Sequence, residues 1–205
     1  MESGGEPGGQ TGLGVAQVDT GDADLGQSLL MRPRPQLLDE PLHVEPMTLL
    51  HAPILESRTL HWRNEADCAA FAALLARQPA LRDAHVELHG PLGAGKTTFV
   101  RHLLRALGVT GRIKSPTYTV LEPHHVGDLA ISHFDFYRFD DPREWEDAGL
   151  REVFAAPGLK LSEWPQKAAG QLPPADLRLH LAVRGDTARE VRLEACSERG
   201  EALLR

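Results

Sequence analysis

The sequence predicts an α/β layered domain with a mostly parallel sheet and an antiparallel hairpin at its C-terminal end. Three observations carry this. Strand-like and helix-like segments alternate through the middle of the chain. One junction reads strand, glycine-rich loop, amphipathic helix. The C-terminal region holds two strand-like runs split by the turn-forming pair Gly185-Asp186.

In chain order, Arg58 to Trp62 reads as a short strand. Asn64 is placed to cap an Ala-rich helix running to about Gln78, where Phe71, Leu74 and Leu75 recur at helical spacing and are expected in the core. His85 to Gly90 alternates Val86 and Leu88 with polar residues and breaks at Gly90-Pro91, a strand entering a turn. A second helix is expected from Lys96 to about Leu107. Val100, Leu103, Leu104 and Leu107 share one face, Arg101, His102 and Arg105 lie off it, and Gly108 ends it. Thr117 to Glu122 and Ile131 to Phe139 read as strands. Pro142 to Gly149 reads as a short acidic helix started by Asp141 or Pro142. Leu159 to Trp164 is a further strand, and Leu177 to Arg184 with Arg189 to Cys196 make the hairpin. No internal repeat is visible.

A chain of 205 residues suits one domain with a real core plus appendages. The hydrophobic share of 41% and charged share of 25% are those of an ordinary globular protein. A net charge of −7 disfavours direct nucleic-acid binding, because the overall field repels phosphate. The two cysteines, Cys68 and Cys196, lie in apolar runs without a CxxC pattern, so reduced buried thiols are expected. No apolar stretch approaches the ~20 residues needed to span a bilayer, and a soluble cytoplasmic protein is expected. Residues 1–50 have the composition of a disordered extension, rich in Gly, Gln and acid, with no Lys or Arg before Arg32 and no signal-peptide pattern. A start at Met31 or Met47 would remove most of it. The folded domain is expected over residues 55–205.

The stretch Gly90-Pro-Leu-Gly-Ala-Gly-Lys-Thr97 matches GxxxxGK[ST] at every fixed position. Polyphosphate binding needs inward backbone amides, glycines where the backbone comes close, an ammonium on the terminal phosphates and a hydroxyl on magnesium. Gly90, Gly93, Gly95, Lys96 and Thr97 supply these parts, and the amides of Lys96, Thr97 and Thr98 open a helix whose dipole favours an anion. Such a site also needs an acid on a neighbouring strand. Asp135 and Glu163, both at strand ends, qualify, and either is equally readable as a solvated strand-end residue. His133 shares a face with Asp135 by period two, as a metal partner or as a hydrogen-bonded structural histidine. Ser115, Thr117 and Thr119 could offer hydroxyls to a terminal phosphate or simply open a strand. His124 and His125 point to opposite faces of any strand and read as surface residues.

Taken together, PLGAGKTTFVRHLL, SPTYTVLEPH, HFDFYRFDDPREWEDAGL and SEWPQ resemble, in order and spacing, the TsaE (YjeE) family. These are small bacterial P-loop ATPases needed to make threonylcarbamoyladenosine in tRNA. The resemblance runs from about Arg58 to Cys196. It implies a P-loop NTPase-like fold with ATP and Mg2+ as cofactors. It implies that Gly93, Ala94, Gly95, Lys96, Thr97 and Thr98 wrap the phosphates, and that Thr97 and Glu163 hold the metal. Asp135 matches the family's Walker B acid, so Lys96, Asp135 and Glu163 are the implied catalytic set. Trp164, Arg189 and Glu65 are implied to lie near the nucleotide, Glu65 beside the adenine. Two departures stand out: Pro91 replaces a usual acid and Ser162 a usual apolar residue, which implies altered packing with the chemistry retained. The implied partners are the threonylcarbamoyl transferase subunit and its dimerisation partner (TsaD and TsaB type), with tRNA reached only through that complex. Slow hydrolysis alone, stimulated by the partners, is implied.

Three rival classes can be set against the letters. A GTPase reads guanine through NKxD, and the single asparagine here is Asn64, before the P-loop. A small-molecule kinase would draw an arginine-bearing lid from Arg138 to Arg151 or from the C-terminal hairpin. A passive ATP-holding module would leave Asp135 and Glu163 without a task.

Overall fold

Period-two apolar patterning builds a seven-stranded sheet across the residues that the computed structural model describes, 53–141, 145 and 148–205. The strands are β1 (Glu56–Trp62), β2 (His85–His89), β3 (Leu121–Val126), β4 (Leu129–Asp135), β5 (Leu159–Glu163), β6 (Leu177–Arg184) and β7 (Ala188–Ala195), in the spatial order β1-β7-β6-β2-β5-β4-β3. The central neighbours β6, β2, β5 and β4 run parallel. The flanks are antiparallel: β1 on β7, β7 on β6, and β3 on β4.

The sheet is therefore mixed, not mostly parallel. The difference comes from β1, which runs antiparallel on β7, and from β3. Of the strand expected over Thr117–Glu122, only Leu121 and Glu122 are extended; Thr117 to Thr119 form a turn, where the amides of Thr119 and Val120 donate to the Pro116 carbonyl at 3.1 and 2.7 Å. The strand starts at Leu121 and returns through Gly127, with φ of 59°, as the hairpin partner of β4. A hairpin needs only a tight turn, whereas a parallel neighbour needs a crossover. β4 ends at Asp135, short of the expected Phe139, because the chain turns there with the Phe139 amide on the Phe136 carbonyl.

Helix α1 (Glu65–Leu75) starts where expected, with the Asn64 side chain accepting from the Asp67 amide at 3.1 Å. It ends before Gln78, as Pro79 opens a 3-10 turn. Its inward stripe is Cys68, Ala72 and Leu75. Leu74, expected in the core, lies off that stripe and is 60% exposed; Phe71 is partly buried against the core. Helix α2 (Lys96–Leu107) buries Phe99, Val100, Leu103 and Leu104 and closes on Gly108 at φ 104°, with Leu107 partly buried. Together α1 and α2 cover one face of the sheet, packing on Val86, Leu88, Leu161, Leu179 and Leu193.

A second apolar cluster of Phe134, Phe136, Phe139, Trp145 and Leu150 gathers on the opposite face of β4. It is closed by the short helix α3 (Leu150–Ala155) through Phe154. A terminal helix, α4 (Glu198–Leu203), is capped by Ser197. The acidic helix expected over Pro142–Gly149 lies largely outside the described residues, and the N-terminal extension, residues 1–50, lies outside them altogether. Both cysteines are free and buried, and burial pushes the Cys68 thiol up to about 12. Among the described residues no helix is long and apolar enough to cross a membrane.

Candidate nucleotide-binding site

The glycine-rich loop leaves β2 at His89 and enters α2 at Lys96, at the C-terminal ends of the parallel strands. Two glycines are required by geometry. Gly95 precedes the helix at φ 105°. Gly90 sits at φ 141°, where a Cβ would meet the Leu181 carbonyl oxygen at 2.5 Å. Gly90→Ala is therefore expected to destabilise the fold by roughly 1–3 kcal/mol from backbone strain alone, read as a fall of several degrees in thermal unfolding.

Lys96 is 5% exposed. Its Nζ donates to the carbonyls of Gly90 at 2.8 Å and Pro91 at 2.9 Å, and lies 3.9 Å from the centroid of the Trp164 ring. Burial lowers its pKa, while the Glu163 and Asp135 carboxylates act in the opposite direction. Trp164 is itself in the left-handed region, at φ 57°. That strained residue directly after β5 aims the indole at the loop, with the Tyr137 ring 5.0 Å away.

The two acids stand opposite each other, Asp135 in register with Glu163 at the ends of the parallel neighbours β4 and β5. Both are buried, so their oxygens need hydrogen-bond donors. Glu163 Oε2 accepts from the Thr97 hydroxyl at 2.8 Å, and Oε1 is 2.9 Å from His133 Nε2. Asp135 Oδ2 accepts from Thr117 at 2.8 Å and from Ser115, and Oδ1 accepts from the Tyr137 amide at 3.0 Å. Ser115 and Thr117 thus tether the second acid, while Thr119 is exposed. His133 is the hydrogen-bonded histidine of the two readings.

A cavity of about 430 Å³ opens on the other flank of the loop, lined by Ala94, Gly95 and Thr98, by Trp62 and Glu65, and by Arg189 from β7. Arg189 Nε donates to the Ala94 carbonyl at 2.8 Å and Nη2 to that of Gly93 at 3.3 Å, clasping the loop. Glu65 Oε1 is 2.9 Å from His102 Nε2. Trp62, stacked on Phe99 at 5.9 Å, supplies an apolar wall. Glu163, Trp164, Arg189 and Glu65 therefore border the same loop, and Asp135 joins them through its register with Glu163.

The two departures have local explanations. Pro91 is exposed and contributes its carbonyl to Lys96. Ser162 is buried and its Oγ lies 3.0 Å from His85 Nε2. His124 corrects the reading of a surface pair: only His125 is exposed, whereas His124 is half-buried with its Nε2 enclosed. The Tyr137 amide, as a donor to Asp135, escapes sequence reasoning. The FDxYR spacing is the one signal that places Tyr137 near Asp135.

Comparison with known proteins places the chain among relatives of one family. The sequence profile of the family described as "Threonylcarbamoyl adenosine biosynthesis protein TsaE" matches residues 62–191. The tRNA threonylcarbamoyladenosine biosynthesis protein TsaE of Haemophilus influenzae is 39% identical over 134 residues, covering 65% of this chain and 84% of that protein. Its namesake in Bacillus subtilis is 38% identical over 148 residues, covering 71% and 92%. A solved structure described as the crystal structure of Bacillus subtilus YdiB superposes with a TM-score of 0.60 at 30% identity, covering 73% of this chain and 92% of that one. The chain belongs to the TsaE family of threonylcarbamoyl adenosine biosynthesis proteins.

Proposed function

We propose that this chain binds ATP with magnesium and hydrolyses it as an accessory subunit in the threonylcarbamoylation of tRNA. The observation that carries the proposal is the Thr97–Glu163 hydrogen bond with Asp135 in register beside it, under the Lys96 ammonium. A hydroxyl and buried carboxylates are hard oxygen donors, the set that suits magnesium shared with substrate phosphates. Thr97 and Glu163 would hold the metal, which when bound neutralises charge on the β- and γ-phosphates.

The chain's own groups do the rest. The amides of residues 93–98 surround the phosphates. Lys96 exchanges its Gly90 and Pro91 carbonyls for phosphate oxygens. Asp135, held in place by Ser115, Thr117 and the Tyr137 amide, orients the attacking water. Arg189, Glu65 and the adjoining cavity receive the ribose and adenine, and Trp164 holds Lys96 in line.

The partners in this reading are a TsaD-type transferase and its TsaB-type dimerisation subunit, with tRNA engaged only through them. Its support is the path from Asp135 to the surface. The two hydroxyls on Asp135 flank Pro116 and precede Tyr118, which is 82% exposed and carries the Arg138 guanidinium 4.3 Å above its ring. A change at Asp135 on nucleotide binding therefore reaches an exposed segment. Residues 55–205 carry this role, and the extension of residues 1–50 is dispensable. In cells depleted of the endogenous protein, mass spectrometry of digested tRNA is expected to show threonylcarbamoyladenosine restored by the full chain and by a chain starting at Met47. Lys96→Ala is expected not to restore it, and full restoration by that variant would refute the reading.

A further inference from the structure

Among the described residues, His133 is the one fully buried ionisable group bordering the site that the proposed chemistry leaves without a task. We propose that it is a positioning residue, whose Nε2–H fixes the Glu163 carboxylate in the orientation that Thr97 and magnesium require. This rests on the magnesium–nucleotide reading above.

Burial carries the first step. Glu163 is 1% exposed and His133 0%, and a carboxylate taken out of water must have its lone pairs met. Thr97 meets Oε2 and His133 meets Oε1. Register carries the second. Asp135 pairs with Glu163 and His133 with Leu161, so His133 lies on the same sheet face, one pleat behind Glu163. Its bond enters from behind the carboxylate and leaves the other oxygen turned toward Thr97.

The imidazole is also retained at a cost. Donating from Nε2 to Glu163 Oε1 leaves Nδ1 as the acceptor of a neutral ring, and Nδ1 is enclosed without a partner. An apolar side chain would avoid that orphan atom. The His124 ring lies on the same face of the β3–β4 ladder, because Glu122 pairs with His133 and His124 with Ile131. Its Nε2 is likewise enclosed and unpartnered. A single water between them would serve both nitrogens. It would set the His133 tautomer that donates to Glu163, as outer-shell partners do for metal carboxylates.

The test is calorimetric titration of the full chain with a non-hydrolysable ATP analogue, once in excess magnesium and once in EDTA. In His133→Leu, the tightening that magnesium gives the wild type is expected to fall on the order of 10–100-fold, with the EDTA affinity unchanged. His133→Gln, whose amide nitrogen reaches the place of Nε2, is expected to recover the tightening, and the shorter His133→Asn is not. Wild-type tightening in His133→Leu would overturn the proposal. So would equal behaviour of the Gln and Asn variants, the comparison that decides if the Leu variant fails to fold. A wild type that gains nothing from magnesium would instead overturn the reading of the site itself.

Discussion

Lys96→Ala is expected to weaken magnesium-ATP binding by about 10–100-fold, the equivalent of roughly 1.5–3 kcal/mol for charge-assisted hydrogen bonds. The size of the effect follows from the absence of a substitute. Lys96 is the only cation in the stretch from Gly90 to Thr98. The nearby Arg189 already commits its guanidinium to the carbonyls of Gly93, Ala94 and Ala188. Lys96→Arg is expected to rescue poorly, because the ammonium is enclosed between the loop carbonyls and the Trp164 ring and a forked guanidinium needs more room. Calorimetric titration checks both variants, and thermal unfolding shows whether loss of the internal Lys96 bonds also loosens the loop.

Asp135→Asn is expected to reduce partner-stimulated turnover by about 10²–10⁴-fold, the usual worth of a positioned acid–base group, with nucleotide affinity largely kept. The substitution is isosteric and its hydrogen bonds can be rearranged. The amide oxygen still accepts from the Tyr137 N–H, and the new NH₂ faces the hydroxyls of Ser115 and Thr117, which can turn to accept. The fold and the tether of the Ser115–Thr117 turn therefore survive while the charge is lost. Single-turnover hydrolysis in the presence of the partner complex measures this, and a wild-type rate would remove Asp135 from the water-orienting role.

The parts of the fold with local punctuation were legible. Helix α2 starts after Gly95 and stops at Gly108, both left-handed, and its Leu and Val positions follow the helical period. The turn after Pro116 was not, because Thr117, Tyr118 and Thr119 have strand propensity and nothing local shows that Ser115 and Thr117 bond a residue some twenty positions later. Helices α3 and α4 have six residues each, too few for a period to show. In Ala-rich α1, the small Ala72 is a core residue and the larger Leu74 is not, a choice made by rotation against α2.

The site divides in the same way. Lys96, Thr97, Asp135 and Glu163 carry motif spacing. What joins them does not: the Thr97–Glu163 and His133–Glu163 bonds depend on β5 lying between β2 and β4. Strand order and register are set by long-range packing that no short window of sequence contains.

ATP hydrolysis by the purified chain, alone and with the threonylcarbamoyl-transferring complex from the same organism, tests the nucleotide-driven role most directly, with Lys96→Ala as the blank. Slow turnover alone and clear stimulation by the complex are expected. Turnover indifferent to the complex, or none under either condition, would contradict it.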